Sequence, residues 1–192
     1  MKNAIILHGK PDREEYYDPV MPSMSNAHWL PWLQAQLLKR DIHAVTPEVP
    51  FAFDPEWDLW RREVERYDIG PETMIVGHSC GGGFWLRWLS EHKDISVGKV
   101  VLVAPSLGLS WETGREKFFG DFMLDPDLVQ RTKGVTVFYS DNDHDGILDA
   151  QKSISEQVKS VAFRKFHLGH FTIDDTGTEF PELLDELISA TM

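Results

Sequence analysis

The segment at residues 74–83 constrains the fold of this chain more than any other. It reads Met-Ile-Val-Gly-His-Ser-Cys-Gly-Gly-Gly, an apolar run that stops at a glycine and is soon followed by three more. This pattern predicts a buried strand that turns sharply over Ser79 and enters a helix, since glycine permits the close backbone approach that such a turn requires. The spacing Gly77-x-Ser79-x-Gly81 is that of a nucleophile elbow, which presents a serine hydroxyl at the carboxyl end of a parallel sheet. The alternative is a glycine-rich turn with a structural role only.

Apolar segments of strand length alternate with helix-like segments along the chain. The predicted strands are residues 4–7, 42–45, 73–76, 100–103, 135–139 and 161–166. The predicted helices are residues 29–40, 55–67, 82–92, 149–159 and 179–190, the last with Thr178 as its N-cap. The first four strands are nearly continuous in apolar residues, as expected of parallel strands that are covered on both faces. The pattern predicts a single α/β domain over residues 1–192, with a doubly wound, mainly parallel sheet and helices on both faces.

Composition argues against several classes of partner and location. The chain has 31 acidic and 19 basic residues and a net charge of −12, which argues against nucleic acid or an anionic membrane as a partner. No apolar run approaches the ~20 residues of a membrane span, and the run at residues 4–7 is too short for the core of a signal peptide. The single cysteine, Cys80, excludes an internal disulfide, so we expect a cytoplasmic protein. The sequence indicates no protein partner but leaves one open.

A serine hydroxyl becomes a good nucleophile when a histidine accepts its proton and a carboxylate orients that histidine. On folds with a nucleophile elbow, the chain order is serine, then aspartate or glutamate, then histidine. Among the histidines after Ser79, His170 is favoured because it follows the last predicted strand and Gly169 allows a tight backbone turn. His167, which lies nearer to the end of that strand, is the alternative.

The carboxylate is expected in the loop after the fifth predicted strand, where Asp141, Asp143 and Asp145 compete. Asp141 and Asp145 are of the kind more often found capping turns or facing solvent. The three aspartates also resemble the start of a calcium-binding loop. Lys152 stands where calcium needs a bidentate glutamate, so we expect no metal here.

The oxyanion of an acyl-transfer reaction needs at least two preorganised hydrogen-bond donors. The amide of Cys80, directly after Ser79, is one candidate. The second is expected in the loop after the first strand, where the amide of Lys10 is favoured over that of Gly9.

The loop at residues 12–28 supplies the first candidates for a substrate pocket. It is long, carries Tyr16 and Tyr17, and would leave the sheet beside Ser79, at the edge where ligands bind in open α/β sheets. The alternative is an ordinary surface loop.

Two tryptophans are further pocket candidates. Trp57 belongs to one of three tryptophan pairs at i, i+3 spacing, each on one face of a predicted helix: Trp29/Trp32, Trp57/Trp60 and Trp85/Trp88. Trp111 lies in the segment at residues 104–134, which is long enough for a small lid but not for a cap domain. The structural alternatives are rings that pack helices onto the sheet and a packed connection instead of a lid.

Several of these motifs together resemble the α/β-hydrolase family, and within it the small, nearly capless serine hydrolases of the retinoblastoma-binding-protein-nine/YdeN type. The matching motifs run through nearly the whole chain in the family's order: His8-Gly9, Trp29-Leu30-Pro31-Trp32-Leu33, Gly77-His78-Ser79-Cys80-Gly81-Gly82, Ser140-Asp141-Asn142-Asp143 and Gly169-His170-Phe171.

The resemblance implies Ser79 as nucleophile, Asp143 as acid and His170 as base. It also implies a six-stranded sheet in the order 2-1-3-4-5-6, without a full cap domain. The chain departs from the family's pattern at two places. His144 follows Asp143 where the family commonly has proline, and the loop after His8-Gly9 is longer than usual.

We therefore expect a serine hydrolase without metal or cofactor that cleaves small carboxylic esters, with short acyl chains, through an acyl-enzyme. The alternatives are amide or thioester cleavage by the same residues, and a binding protein that keeps the fold with little turnover.

Overall fold

Six parallel strands form one central sheet. The computed structural model describes residues 2–111 and 113–189. The strands are β1 (Asn3–Leu7), β2 (His43–Val45), β3 (Thr73–His78), β4 (Val100–Val103), β5 (Val135–Ser140) and β6 (Ala162–Phe166). Their order in the sheet is β2-β1-β3-β4-β5-β6, and every neighbouring pair is parallel. The predicted parallel sheet and its strand order are confirmed.

Helices connect the strands and cover the sheet. Within the described residues they are α1 (Arg13–Tyr17), α2 (Leu30–Leu38), α3 (Trp57–Val64), α4 (Cys80–Glu91), α5 (Arg115–Phe118), α6 (Asp145–Gln157), α7 (Ile173–Thr176) and α8 (Pro181–Ser189). In this part of the chain, no helix is long and apolar enough to cross a membrane.

Two helices begin earlier than the sequence predicts. α4 begins at Cys80 instead of residue 82, directly after the turn. α6 begins at Asp145 instead of residue 149, with Asp145 in its first turn, where a carboxylate is stabilised by the helix dipole.

The prediction of Thr178 as the N-cap of the last helix is wrong. α8 begins at Pro181, so Phe180 immediately precedes it. Proline suits the first helical position, because it needs no amide partner there and its φ is already helical. The predicted helix end at residue 190 lies outside the described residues.

The sheet is buried on both faces by two apolar clusters. One cluster combines α3 and α4 with alternate strand residues, among them Ile5, Ile75, Leu102, Trp60 and Phe84. The other combines α2 and α8 with the intervening strand residues, among them Ile6, Val76, Val101, Leu33 and Leu187. This arrangement explains the continuous apolar runs, because side chains of both parities along each central strand meet a helix layer.

Tryptophan side chains supply much of this helix-to-sheet packing. Trp60, Trp85 and Trp88 are buried in the cluster with α3 and α4, and Trp29 is buried in the opposite cluster. The packing interpretation of these rings is confirmed.

The two long segments contain short helical turns. The loop at residues 12–28 holds α1 and a 3₁₀ turn at Met24–Asn26. The segment at residues 104–134 holds α5, and its Phe118 is fully buried with its ring 5.0 Å from that of Trp60. That segment is therefore a packed connection at Phe118, and the described residues form no cap domain.

We expect Gly77→Ala to lower the free energy of unfolding by about 1–3 kcal/mol, as overpacking does. An added Cβ at Gly77 would lie 2.6–2.7 Å from backbone atoms of Gly81 and Gly82, which cannot move without separating β3 from α4. Gly70→Ala is the matched control, because no heavy atom lies within 4 Å of its added Cβ. Urea denaturation of the variants measures the difference, and equal midpoints would contradict it.

Candidate active site

Ser79 occupies a strained turn between β3 and α4. Its φ and ψ are 51° and −117°, a conformation rare for a residue with a side chain. Three backbone hydrogen bonds hold it. The Ser79 amide donates to the Val103 carbonyl (2.9 Å), and the Ser79 carbonyl accepts from the amides of Ser106 (2.9 Å) and Gly83 (3.1 Å). This is the strand–turn–helix that the sequence predicts.

A line of hydrogen bonds joins Ser79 to His170 and Asp143. His170 Nε2 lies 2.9 Å from Ser79 Oγ, and His170 Nδ1 lies 2.9 and 3.0 Å from the two Asp143 oxygens. The Asp143 side chain is fully buried. Since an ionised carboxylate only accepts hydrogen bonds, Nδ1 carries the proton and Nε2 presents a lone pair to the Ser79 hydroxyl.

The turn that carries His170 is fixed by a neighbouring carboxylate. Asp175 Oδ2 accepts hydrogen bonds from the His170 amide (3.0 Å), the Thr172 amide (3.0 Å) and the Thr172 hydroxyl (2.9 Å). Gly169 has a φ of 45°, and a Cβ there would overlap the Asp175 carboxylate. The Trp29 indole N–H donates to the Phe171 carbonyl at 3.1 Å. The position of the imidazole therefore depends on groups from two other segments.

The loop that carries Asp143 and the loop that carries His170 are also joined directly. The Leu168 amide donates to Ser140 Oγ (2.7 Å), and the Gly169 amide donates to Asn142 Oδ1 (3.0 Å). The Ser140 hydroxyl in turn donates to Asn142 Oδ1 at 2.6 Å. These bonds hold the residues on either side of the Asp143–His170 contact in register.

The competing residues pair with each other at the surface. His167 Nδ1 lies 2.6 Å from Asp141 Oδ1, and Lys165 Nζ lies 2.8 Å from Asp141 Oδ2. Hydrogen bonds from Lys165 and His167 lower the pKa of Asp141. The His167 side chain is 77% exposed, and Asp145 lies in the first turn of α6. The structure thus brings Asp143 and His170 to Ser79, and leaves these alternatives outside.

His78 supports the turn beneath Ser79. Its Nε2 donates to the His170 carbonyl at 2.8 Å, and burial is the main cause that lowers its pKa well below the usual value. His78 is therefore neutral near pH 7. Its hydrogen bond joins the end of β3 to the turn that carries His170.

His8 fixes the loop after β1. It is fully buried, its Nδ1 donates to the Gly9 carbonyl (2.7 Å), and its Nε2 accepts from the Val49 amide (3.0 Å). Burial lowers its pKa, so the ring is neutral near pH 7. Because the Gly9 carbonyl and the Lys10 amide belong to one planar peptide and point in opposite directions, this bond also sets the direction of the Lys10 N–H.

The loop after β1 passes next to Ser79. An ideal Cβ on Gly9 would lie 3.1 Å from Ser79 Cβ. Lys10 and Cys80 both line the cavity at Ser79. Cys80 is the first residue of α4, where amides have no partner within the helix. Lys10 and Cys80, the residues predicted to supply the two amide donors, therefore both lie at the cavity beside Ser79, as does the alternative, Gly9.

A cavity of about 320 Å³ opens over Ser79 and His170. Of the four predicted pocket residues, Trp111 lines it, together with Met24 and Ile147. Tyr16, Tyr17 and Trp57 are not among its lining residues and need a different explanation.

The two tyrosines turn away from the cavity because α1 presents its other face there. Asp12 and Glu15, three residues apart, line the cavity. The Tyr16 and Tyr17 rings instead lie 5.0 and 5.5 Å from that of Phe53. The predicted loop does reach the cavity, but the two tyrosines lie on the side of α1 that faces away from it.

Trp57 belongs to the core. Its ring lies 5.0 Å from that of Phe84, and the Arg87 guanidinium lies 4.0 Å from its centre. Trp57 is buried in the cluster with α3 and α4. The amphipathic face of α3 that begins with Trp57 packs on the sheet instead of facing a substrate.

Other cavity residues were not singled out in the sequence as pocket candidates. Ser106 follows β4, so its place at the carboxyl edge of the sheet was the available signal. His28 lines the cavity with its Nδ1 accepting from the Ile173 amide at 3.1 Å, and burial is the main cause that lowers its pKa. No local pattern reveals that contact, because it joins residues far apart in the chain.

Comparisons with known proteins identify a family for this chain. A family model described as "Serine hydrolase" matches residues 21–189. The protein YdeN of Bacillus subtilis (strain 168) is 26% identical over 198 residues, covering 98% of this chain and 95% of YdeN.

Solved structures extend the likeness to three dimensions. The crystal structure of the ydeN gene product from B. subtilis has a TM-score of 0.82 at 25% identity, covering 100% of this chain and 99% of that chain. Est1E from Butyrivibrio proteoclasticus has a TM-score of 0.67 at 16% identity, covering 99% of this chain and 88% of Est1E, which is a likeness of fold. Since the family model spans most of the sequence, from residue 21 to residue 189, the chain belongs to the serine hydrolase family.

Proposed function

We propose that this serine hydrolase cleaves carboxylic esters through an acyl-enzyme, with Ser79 as nucleophile, His170 as base and Asp143 as the orienting acid. The observation that carries the proposal is the unbroken line of hydrogen bonds from Ser79 Oγ to His170 (2.9 Å) and from His170 to a buried carboxylate (2.9 Å). That order of groups is what activation of a serine hydroxyl requires.

In this mechanism His170 Nε2 takes the Ser79 proton as Oγ attacks the ester carbonyl. The amides of Cys80 and Lys10 stabilise the oxyanion, and His8 holds the Lys10 peptide in place through the Gly9 carbonyl. The imidazolium, stabilised by Asp143, then gives its proton to the leaving alcohol. A water molecule, deprotonated by His170, hydrolyses the acyl-enzyme in the second half of the reaction. No step uses a metal or a cofactor.

Two alternatives share this site. Amide or thioester cleavage would use the same three residues, and an amide requires fuller protonation of its leaving nitrogen by His170. A binding protein with little turnover is disfavoured, because it gains nothing from a buried carboxylate aligned with His170 and Ser79.

The proposed partner is a small molecule and not a nucleic acid or a membrane. The net charge of −12 supports this, as do the acidic side chains of Asp12 and Glu15 at the cavity. A cytoplasmic location is proposed from the single cysteine.

A fluorophosphonate probe should label Ser79 and no other serine. Among the described residues, Ser79 alone has its hydroxyl hydrogen-bonded to a histidine that is itself hydrogen-bonded to a buried carboxylate. Ser79→Ala should abolish labelling and lower esterase activity at least ~10³-fold, leaving only catalysis by the oxyanion donors. Ser110→Ala is the matched control, since this serine also lines the cavity and should leave labelling intact. Mass mapping of the adduct to another residue would remove the central claim.

Asp143→Asn should lower kcat by up to about 10⁴, because an amide no longer selects the Nδ1–H tautomer of His170. Asp141→Asn, which breaks only surface pairs with Lys165 and His167, should change kcat by less than about tenfold. Steady-state kinetics on p-nitrophenyl acetate decides between them. A larger loss in Asp141→Asn would show that the acid has been assigned to the wrong aspartate.

Short acyl chains, of about two to six carbons, should give the highest kcat/KM, because a cavity of about 320 Å³ is near the small end for ligand pockets. Each buried methylene adds at most ~0.8 kcal/mol, and the gain should stop when the chain outgrows the walls. A series of p-nitrophenyl esters measures this. Trp111→Ala should shift the optimum to longer chains, whereas Tyr17→Ala, outside the cavity, should not. A kcat/KM that still rises at about twelve carbons would mean that a longer tunnel is present.

A further inference from the structure

Three side chains with metal-ligating atoms converge beside Ser79. In residues 2–111 and 113–189, Asp143, His144 and His170 are the one group of three such residues whose ligand atoms lie within 4.8 Å of one another. His144 Nε2 lies 3.5 Å from Asp143 Oδ1, and the rings of His144 and His170 are 4.7 Å apart. The His144 side chain is 71% exposed and lines the cavity, so an ion can reach it from solvent.

We propose that this group is an inhibitory site for Zn²⁺. Two imidazoles and one carboxylate are ligands that zinc prefers, whereas Ca²⁺ and Mg²⁺ prefer oxygen ligands only. A tetrahedral Zn²⁺ with bonds of about 2.0–2.1 Å has ligand atoms about 3.3 Å apart. The measured separations of 2.9 Å (His170 Nδ1 to Asp143) and 3.5 Å (His144 to Asp143) lie on either side of that value. The fourth position would hold a water molecule.

Binding at this site removes the base from the proposed reaction. In the active form, His170 carries its proton on Nδ1 and a lone pair on Nε2, which faces Ser79. Zn²⁺ can bind Nδ1 only when that atom has a lone pair, so the proton moves to Nε2. The Nε2–H group then cannot accept the Ser79 proton. No bond to carbon changes and no electron is transferred, so a chelator reverses the effect.

His144 is the ligand through which the zinc site can be tested separately from the proposed catalysis. Asp143 and His170 are needed for the proposed catalysis, but His144 performs no step in it. Its backbone amide, which donates to Asp143 Oδ1 at 2.7 Å, remains in any variant other than proline. His144→Phe therefore removes one ligand while keeping an aromatic ring beside His170 and the amide bond to Asp143.

The test uses the full chain, freed of metal with a chelator and then titrated with Zn²⁺. Hydrolysis of p-nitrophenyl acetate should fall at least about tenfold, recover when EDTA is added, and be unaffected by Ca²⁺ or Mg²⁺. Loss of an outer-shell partner alone costs about 10–100-fold in metal affinity. His144→Phe should therefore need at least about tenfold more Zn²⁺ for half-inhibition, with each variant's inhibition measured relative to its own activity without zinc. His167→Phe, at an exposed histidine that pairs with Asp141, is the matched control and should stay as sensitive as wild type.

The inhibition rests on the proposed function, but the binding does not, so calorimetry is run in parallel. Ser79→Ala, which has no nucleophile, should still bind Zn²⁺ at this site, and adding His144→Phe should remove that binding event. If no ester is hydrolysed, the proposed function fails and calorimetry alone decides on the site. Equal zinc sensitivity of wild type and His144→Phe would overturn the proposal. So would wild type that binds no Zn²⁺ more tightly than about 1 mM.

Discussion

The backbone of Ser79 is the constraint on which the rest of the structure depends. Its positive φ is unfavourable for a residue with a side chain. The conformation persists because both the amide and the carbonyl of Ser79 are hydrogen-bonded to neighbouring backbone. The bonds to Val103 and Ser106 tie the turn to β4 and the segment after it, which fixes the height of the hydroxyl above the sheet. Gly77 makes this possible, because a Cβ there would push the end of β3 away from α4.

Parallel strands then bring distant parts of the sequence to one edge. His8 follows β1, Ser79 follows β3, Asp143 comes shortly after β5, and His170 comes shortly after β6. All four therefore meet at the carboxyl end of the sheet, although they span most of the chain. The loops also bond one another: the loop of His170 is hydrogen-bonded to that of Asp143, and the turn at Ser79 is hydrogen-bonded to the segment after β4.

The features predicted well follow from the periodicity of the apolar residues and the order of the strands along the chain. The features missed depend on which face of a helix points towards the site. The continuous apolar runs and the glycine-rich turn predicted the parallel sheet and the strand–turn–helix at Ser79. The strand order and Asp143 as the acid came from the resemblance to small serine hydrolases, and the structure brings Ser79, Asp143 and His170 together. Tyr16 was misplaced because α1 is too short to show a clear helical periodicity, so the sequence does not indicate which side of it faces the site. Trp57 was misplaced because the same sequence pattern is expected for an aromatic residue that packs in the core and for one that lines a cavity.

The surroundings of His170 suit the role of proton-transfer group that we propose for it. His8, His78 and His28 all lie near the site, and burial is the main cause that lowers the pKa of each. Each ring also bonds a backbone group through at least one nitrogen, and His8 does so through both, so the neutral tautomer of each is fixed. Neutral neighbours do not oppose the positive charge that His170 would gain in the proposed reaction, whereas charged neighbours would repel it. His170 alone is paired with a buried carboxylate, so the positive charge is stabilised there and nowhere else among these four rings.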